Sequence, residues 1–167
     1  APLMPPVGSV AFVSQSGAMG LSVLDYAREY GIGISQFVSL GNKPHVSGND
    51  LLMQWENDPT VSVILMYTEN FGNPTRFREL ATRVTKQKPI IALKSGRSVV
   101  GAQAASSHTG ALAASDAALD ALLGQAGVLR TASVEELLDM TMAFGRQPLP
   151  RSRRTAVLTN AVVPDAW

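Results

Sequence analysis

Val10-Ala11-Phe12-Val13-Ser14-Gln15-Ser16-Gly17-Ala18-Met19-Gly20 joins an apolar, β-branched run to a Ser/Gly turn that opens a helical pattern. The run reads as a strand buried on both faces, and the spacing beyond it puts Leu21, Leu24 and Ala27 on one side of a helix. A strand feeding such a turn presents unpaired backbone N–H groups and the positive end of a helix dipole, so the junction suits an anion. By itself the segment stays ambiguous, because Ser is an ordinary N-cap and Gly relaxes any tight strand-to-helix turn.

The same alternation continues along the chain. Strand-like runs fall at 10–14, 34–39, 61–68, 89–94 and, more weakly, 128–131, and helical spacing at 19–30, 49–57, 74–87, 115–126 and 133–144. Phe77, Leu80, Ala81 and Val84 line one helix face; Ser115-Asp116, and Ser133 followed by Glu135 and Glu136, supply helix starts. Successive βα units with near-continuous apolar strands predict an α/β fold, a doubly wound, mainly parallel sheet, flavodoxin-like in kind, with helices on both faces. Ligands of such sheets lie at the carboxyl ends of the strands, where Ser16 and Glu69 both fall. This domain is expected over 1–146, followed by a Pro/Arg linker over 147–154. Within 155–167, residues 155–159 read as one more strand, the start of a neighbouring domain.

The 167 residues allow one domain with a substantial core. A hydrophobic fraction of 46% and a charged fraction of 16% describe a soluble globular protein. The longest largely apolar stretch, 61–67, is far below the roughly 18 residues of a spanning helix, so no membrane is expected. The formal charge of +1 offers no basic stripe for nucleic acid; Arg146, Arg151, Arg153 and Arg154 sit among Pro148 and Pro150 as a solvated linker. Ala1-Pro2-Leu3-Met4-Pro5-Pro6 lacks a basic start and an apolar core, and the chain has no cysteine, which fits a cytoplasmic setting. With only His45 and His108, a multi-histidine metal site is excluded, and any metal would be Mg²⁺ accompanying a phosphate.

A second phosphate-friendly loop, Ser106-Ser107-His108-Thr109-Gly110-Ala111, precedes another helical pattern. Its surroundings, 101–115, are poor in large apolar side chains, which disfavours a packed core histidine and suggests phosphoryl transfer through the ring. Glu69, just past the third strand, could hold one imidazole N–H and leave the other nitrogen as nucleophile, although alone it also reads as a solvated loop residue. His45, in the Gly41-Asn42-Lys43-Pro44-His45 segment, is assigned no chemistry.

The segments Val13-Ser14-Gln15-Ser16-Gly17-Ala18, Ser39-Leu40-Gly41-Asn42-Lys43, Leu93-Lys94-Ser95-Gly96-Arg97 and Ser107-His108-Thr109-Gly110-Ala111-Leu112 occur in this order and at similar spacing in NDP-forming (ADP-forming) acyl-CoA synthetases. Over roughly residues 8–144 the chain resembles their succinyl-CoA-ligase-like flavodoxin domain, related to the second domain of the succinyl-CoA synthetase α subunit. The resemblance implies that His108 is phosphorylated and that Glu69 is its catalytic partner. It also implies that Ser14, Gln15, Ser16 and Gly17, with Ser107, Thr109 and Gly110, bind the phosphoryl group. The implied reaction converts acid, CoA and a nucleoside triphosphate to acyl-CoA, diphosphate and phosphate, reversibly, through an acyl phosphate and a phosphohistidine.

No cofactor is expected on this chain itself; Mg-ATP/ADP, phosphate and CoA belong to the complete enzyme. The implied partners are a CoA-binding domain, an ATP-grasp nucleotide domain or subunit, and a carboxylic acid or acyl-CoA substrate. Without those domains the 167 residues alone should not turn over. The family continues Thr-Asn-Ala with Gly-Gly-Pro-Gly, whereas this chain reads Thr159-Asn160-Ala161-Val162-Val163-Pro164-Asp165-Ala166-Trp167, so 155–167 is either the start of a following domain, cut off, or an appended tail.

Two other functions compete. A non-catalytic regulatory version occurs in protein lysine acetyltransferases that carry a similar region and typically lack the histidine; the presence of His108 argues against it. A flavin-binding module would want a closing hydroxyl where Met19 stands.

Overall fold

The computed structural model describes residues 4–41, 45–95 and 116–150, together with 152, 154, 156 and 158. Along them run β1 (Val7–Ser14), α1 (Gly17–Glu29), β2 (Ile34–Ser39), α2 (Gly48–Glu56), β3 (Val63–Thr68), α3 (Pro74–Val84), β4 (Ile90–Lys94), α4 (Asp116–Gln125), β5 (Leu129–Thr131) and α5 (Val134–Arg146). The described strands form one parallel sheet in the order β2-β1-β3-β4-β5. From β1 the chain first moves outward to β2 and then back past β1 to β3, so the order reverses between β1 and β3, and a crevice opens there at the strands' carboxyl ends.

Alternation along the strands divides the core into two layers. Val10, Phe12, Val63, Leu65, Ile91 and Leu93 face α1 and α5, where they meet Val23, Leu24 and Leu137. Ala11, Val13, Ile64, Met66, Ile90 and Ala92 face α2, α3 and α4, packing on Leu52, Trp55, Phe77 and Leu123. Each such fully buried side chain contributes about 1.5–3 kcal/mol. Trp55 also satisfies its indole: Nε1 donates to Gln36 Oε1 at 2.8 Å, and Gln36 Nε2 donates to Asp58 Oδ2 at 2.7 Å.

Element boundaries differ from the sequence reading where local contacts intervene. β1 starts at Val7, three residues earlier than expected, because Val7 pairs with Ile34 ahead of an irregularity in the β1–β2 register. α3 stops at Val84 with Thr85 as its cap, short of 87. α5 runs on to Arg146, whose guanidinium bonds the Tyr30 carbonyl at the end of α1. The expected strand at 155–159 lies mostly outside the described residues.

Two glycines permit close approaches that set the frame. A Cβ on Gly8 would sit 2.4 Å from Gly33 Cα, so β1 and the segment leading into β2 touch backbone to backbone. A Cβ on Gly20 would fall 2.7 Å from the Phe37 ring and 3.3 Å from Ser14 Cβ, so α1 lies tight on the sheet beside the end of β1. At the opposite pole, where strands begin, Pro6 accepts from the Ile34 N–H at 2.8 Å, and a cleft of about 240 Å³ is lined by Pro6, Val7, Gly31, Gly33, Gly145 and Arg146.

Candidate functional site

β1 ends in a fully buried Ser14 held from both sides: Leu40 N–H donates to its carbonyl at 2.9 Å, and Gln15 N–H donates to Tyr67 O at 3.0 Å. The Ser14 hydroxyl donates to Ser16 O at 2.7 Å and accepts from Ser16 N–H at 3.2 Å, closing a tight turn. Ser16 then caps α1 from an extended backbone, its hydroxyl accepting from Met19 N–H at 3.3 Å. Gly17 and Ala18 are exposed, and a side chain at Gly17 would meet nothing within 4 Å among the described residues. Unlike α2, α4 and α5, α1 carries no acidic residue in its first turn, so no carboxylate of its own offsets the positive end of its dipole.

Glu69 follows β3 on the neighbouring strand end and is half-buried. Gln15 ties it to the α1 start. Its side-chain oxygen accepts from Glu69 N–H at 2.8 Å and from Asn70 N–H at 3.2 Å, while its Nε2 donates to Asn70 O at 2.8 Å. Thr68 Oγ1 donates to Asn70 O at 2.5 Å, and Gly72, at φ +68, gives its N–H to Asn70 Oδ1, so the turn beyond Glu69 is pinned from within. Ser14, Gln15, Ser16, Gly17 and Glu69 therefore share the β1/β3 crevice. Gln15 differs from the others: its amide already bonds the neighbouring backbone on both its donor and acceptor sides.

β3, β4 and β5 add groups to which the sequence reading assigned no chemistry. The Lys94 ammonium donates to Ser95 O at 2.9 Å, and burial above all, then the Arg130 guanidinium, holds its pKa below the usual lysine range. Burial above all pushes the Tyr67 phenol up, and the Glu69 carboxylate adds to that. The Arg130 guanidinium bonds Asp116 and Asp120 and so fixes the start of α4 at the same rim. Lys94 and Tyr67 close apolar strands, where a polar residue at the carboxyl end was the available signal.

His108, Ser107, Thr109 and Gly110 lie outside the described residues. The described residues on either side of them, Ser95 and Asp116, both lie at the rim. His45 is exposed. Among the described residues no helix is long and apolar enough to cross a membrane.

A doubly wound α/β domain with a capped, acid-free helix start at its topological switch point is thus in place. Residues 7–144 match the family described as succinyl-CoA ligase like flavodoxin domain, and the chain belongs to it. It is 45% identical over 162 residues to the ADP-forming 4-hydroxybutyrate–CoA ligase of Nitrosopumilus maritimus, covering 96% of this chain and 23% of that protein. With the α subunit of ADP-forming acetate–CoA ligase II of Pyrococcus furiosus it shares 43% over 157 residues, 94% of this chain and 34% of that one. Among solved structures, Ca. Korarchaeum cryptofilum dinucleotide forming acetyl-coenzyme A synthetase 1 in complex with phosphate and ADP superposes with a TM-score of 0.85 at 43% identity, covering 89% of this chain and 32% of that chain. The chain spans between 23% and 34% of the length of these relatives.

Proposed function

We propose that this chain is the phosphoryl-relay domain of an NDP-forming acyl-CoA synthetase, with His108 as the phosphorylated residue. One observation carries the reading: the α1 start and Glu69 sit on adjacent strand ends, joined through Gln15, at the rim where Ser95 continues the β3–β4 pairing by donating to Thr68 O. Acyl-CoA and phosphate give an acyl phosphate and CoA on the partner domains. A neutral imidazole nitrogen of His108 then attacks phosphorus, the P–O bond to the acyl group breaks, and the carboxylate leaves. The phosphoryl group passes on to a nucleoside diphosphate, which restores the imidazole.

The residues at the rim suit those steps. A helix N-terminus disfavours an imidazolium beside it and stabilises the phosphoryl dianion by roughly 0.3–2 kcal/mol. Glu69 serves from the N–H side of the ring, because a carboxylate against the phosphoryl group would repel it. Partner domains supply the CoA site and a nucleotide site with its Mg²⁺. The names of the relatives, all ADP-forming ligases or a synthetase held with phosphate and ADP, support the same class.

The test is to incubate the ligase-length protein with Mg²⁺ and ATP labelled at the terminal phosphate. Acid-labile, base-stable label that disappears in His108→Ala is expected. Acid-stable label, or label retained in that variant, refutes the assignment. The isolated 167-residue chain should synthesise no acyl-CoA, and measurable synthesis by it would overturn the division of labour.

A further inference from the structure

Among the described residues, the relay leaves the charged Lys94 at the rim without a task. Lys94 ends β4 in register with Thr68, the residue before Glu69, and Ser95 N–H continues that pairing by donating to Thr68 O at 3.1 Å. The ammonium turns back along the strand end to Ser95 O, which occupies one of its three donors. Two residues earlier, Ala92 pairs with Arg130 of β5, so Arg130 lies on the same face of the sheet. Arg130 is already neutralised by Asp116 and Asp120. Lys94 has no carboxylate within ion-pair distance among the described residues, although Glu69 and Asp116 are near enough to favour its charge.

The result is a half-buried cation with donors to spare. β1 and β4 are separated only by β3, a span of about 10 Å across the sheet; Lys94 shares the face of Ala92, away from α1, so its side chain meets an anion at the α1 start over the carboxyl edge of β3. The start of α1 offers neutral N–H dipoles there, whereas a group carrying about two negative charges calls for a full positive charge as well.

We propose that Lys94 binds phosphoryl oxygen at this rim, opposite the start of α1, and so sets the affinity of the site for phosphate. This rests on the phosphoryl-relay reading. The groups facing Lys94 are Glu69 after β3, Arg130 on β5 and Asp116 at the start of α4; they shape its charge but leave its remaining donors to the anion. Burial and Arg130 depress its pKa, so a larger share of its amine is uncharged than in a fully solvated lysine.

Two measurements on the ligase-length protein test it. In the direction consuming acyl-CoA, phosphate and nucleoside diphosphate, Lys94→Met should raise the KM for phosphate by about tenfold or more, with the KM for acyl-CoA within about twofold, and Lys94→Arg should recover most of the loss. Independently of any variant, inorganic phosphate should slow the reductive methylation of Lys94 in the wild-type protein, read by peptide mass spectrometry, and leave exposed Lys86 unaffected. If Lys94→Met fails to fold, the methylation result decides. Unlabelled His108 in the wild type would defeat the relay reading. Labelled His108 together with an unchanged phosphate KM, or with methylation of Lys94 indifferent to phosphate, overturns the role of Lys94 alone.

Discussion

Replacing Gln15 with methionine keeps the length of the side chain and removes the bonds that join two strand ends. Three hydrogen bonds go at once: those from Glu69 N–H and Asn70 N–H to Oε1, and that from Nε2 to Asn70 O. Each contributes about 0.5–1.5 kcal/mol net, but Gln15 is half-buried, and water reaches at least part of the backbone left behind. We therefore expect a loss of about 1–2 kcal/mol in urea unfolding followed by circular dichroism, with an unchanged m-value. Glu69 would remain present but unanchored, so His108 labelling in the ligase-length protein should slow by about 10- to 100-fold. Gln15→Glu should do worse than methionine at pH 7, because it sets a carboxylate against Asn70 O and beside Glu69, and acidification should narrow the gap. A Gln15→Met variant that loses less than about 0.3 kcal/mol and labels at the wild-type rate would refute the idea that this side chain couples the two ends.

Other outcomes are equally direct. The Ser47 hydroxyl and N–H, then Arg76, hold the Asp50 carboxyl below the ordinary carboxylate range at the start of α2. A depressed folded pKa gives stability that is present above the unfolded value and lost as pH falls through the folded one. Asp50→Asn should thus cost about 0.5–1 kcal/mol at pH 7, after allowance for its exposure, and progressively less as pH falls through the folded value, as read by unfolding over a descending pH series. Lys88 Nζ donates to Trp55 O and Asp58 O, both at 2.6 Å, so Lys88→Met should destabilise by about 1–3 kcal/mol by removing two charge-assisted bonds and leaving those carbonyls only the N–H groups of Asp58 and Val61. Gly20→Val should push α1 off Phe37 and Ser14, costing about 1–3 kcal/mol in unfolding and weakening phosphate protection of Lys94; Gly145→Ala in α5, with nothing within 4 Å of its added Cβ among the described residues, is the control and should be neutral to about 1 kcal/mol stabilising.

The architecture was legible because periodicity and turn chemistry agree locally. Val10-Ala11-Phe12-Val13 could only be a doubly covered strand, and Ser133 with Glu136 announced a helix that the structure caps as expected, Glu136 N–H donating to Ser133 Oγ at 3.1 Å. Strand order was not written in any one segment, since it depends on β1 pairing with both β2 and β3 across long loops. At the rim, sequence pattern found the residue types but not their engagements. Gln15 looked like a phosphate ligand, yet its amide bonds Glu69 and Asn70, a contact between residues more than fifty apart. Lys94 escaped notice for the related reason that its setting comes from Glu69, Arg130 and Asp116, three elements that no local window unites.

The cleft at the opposite pole bears on how such a fold travels among proteins. Pro6 and Val7, where the polypeptide comes into the sheet, line the same small hollow as Gly145 and Arg146, where α5 lets it go. A unit whose threads arrive and depart side by side can be spliced into a longer polypeptide like a bead on a loop, displacing little of its host. That seam lies a full strand length from Ser16 and Glu69, so what is joined there is kept apart from the rim. The relatives, in which this module makes up 23% of one chain and 34% of another, are the kind of assembly such a seam allows.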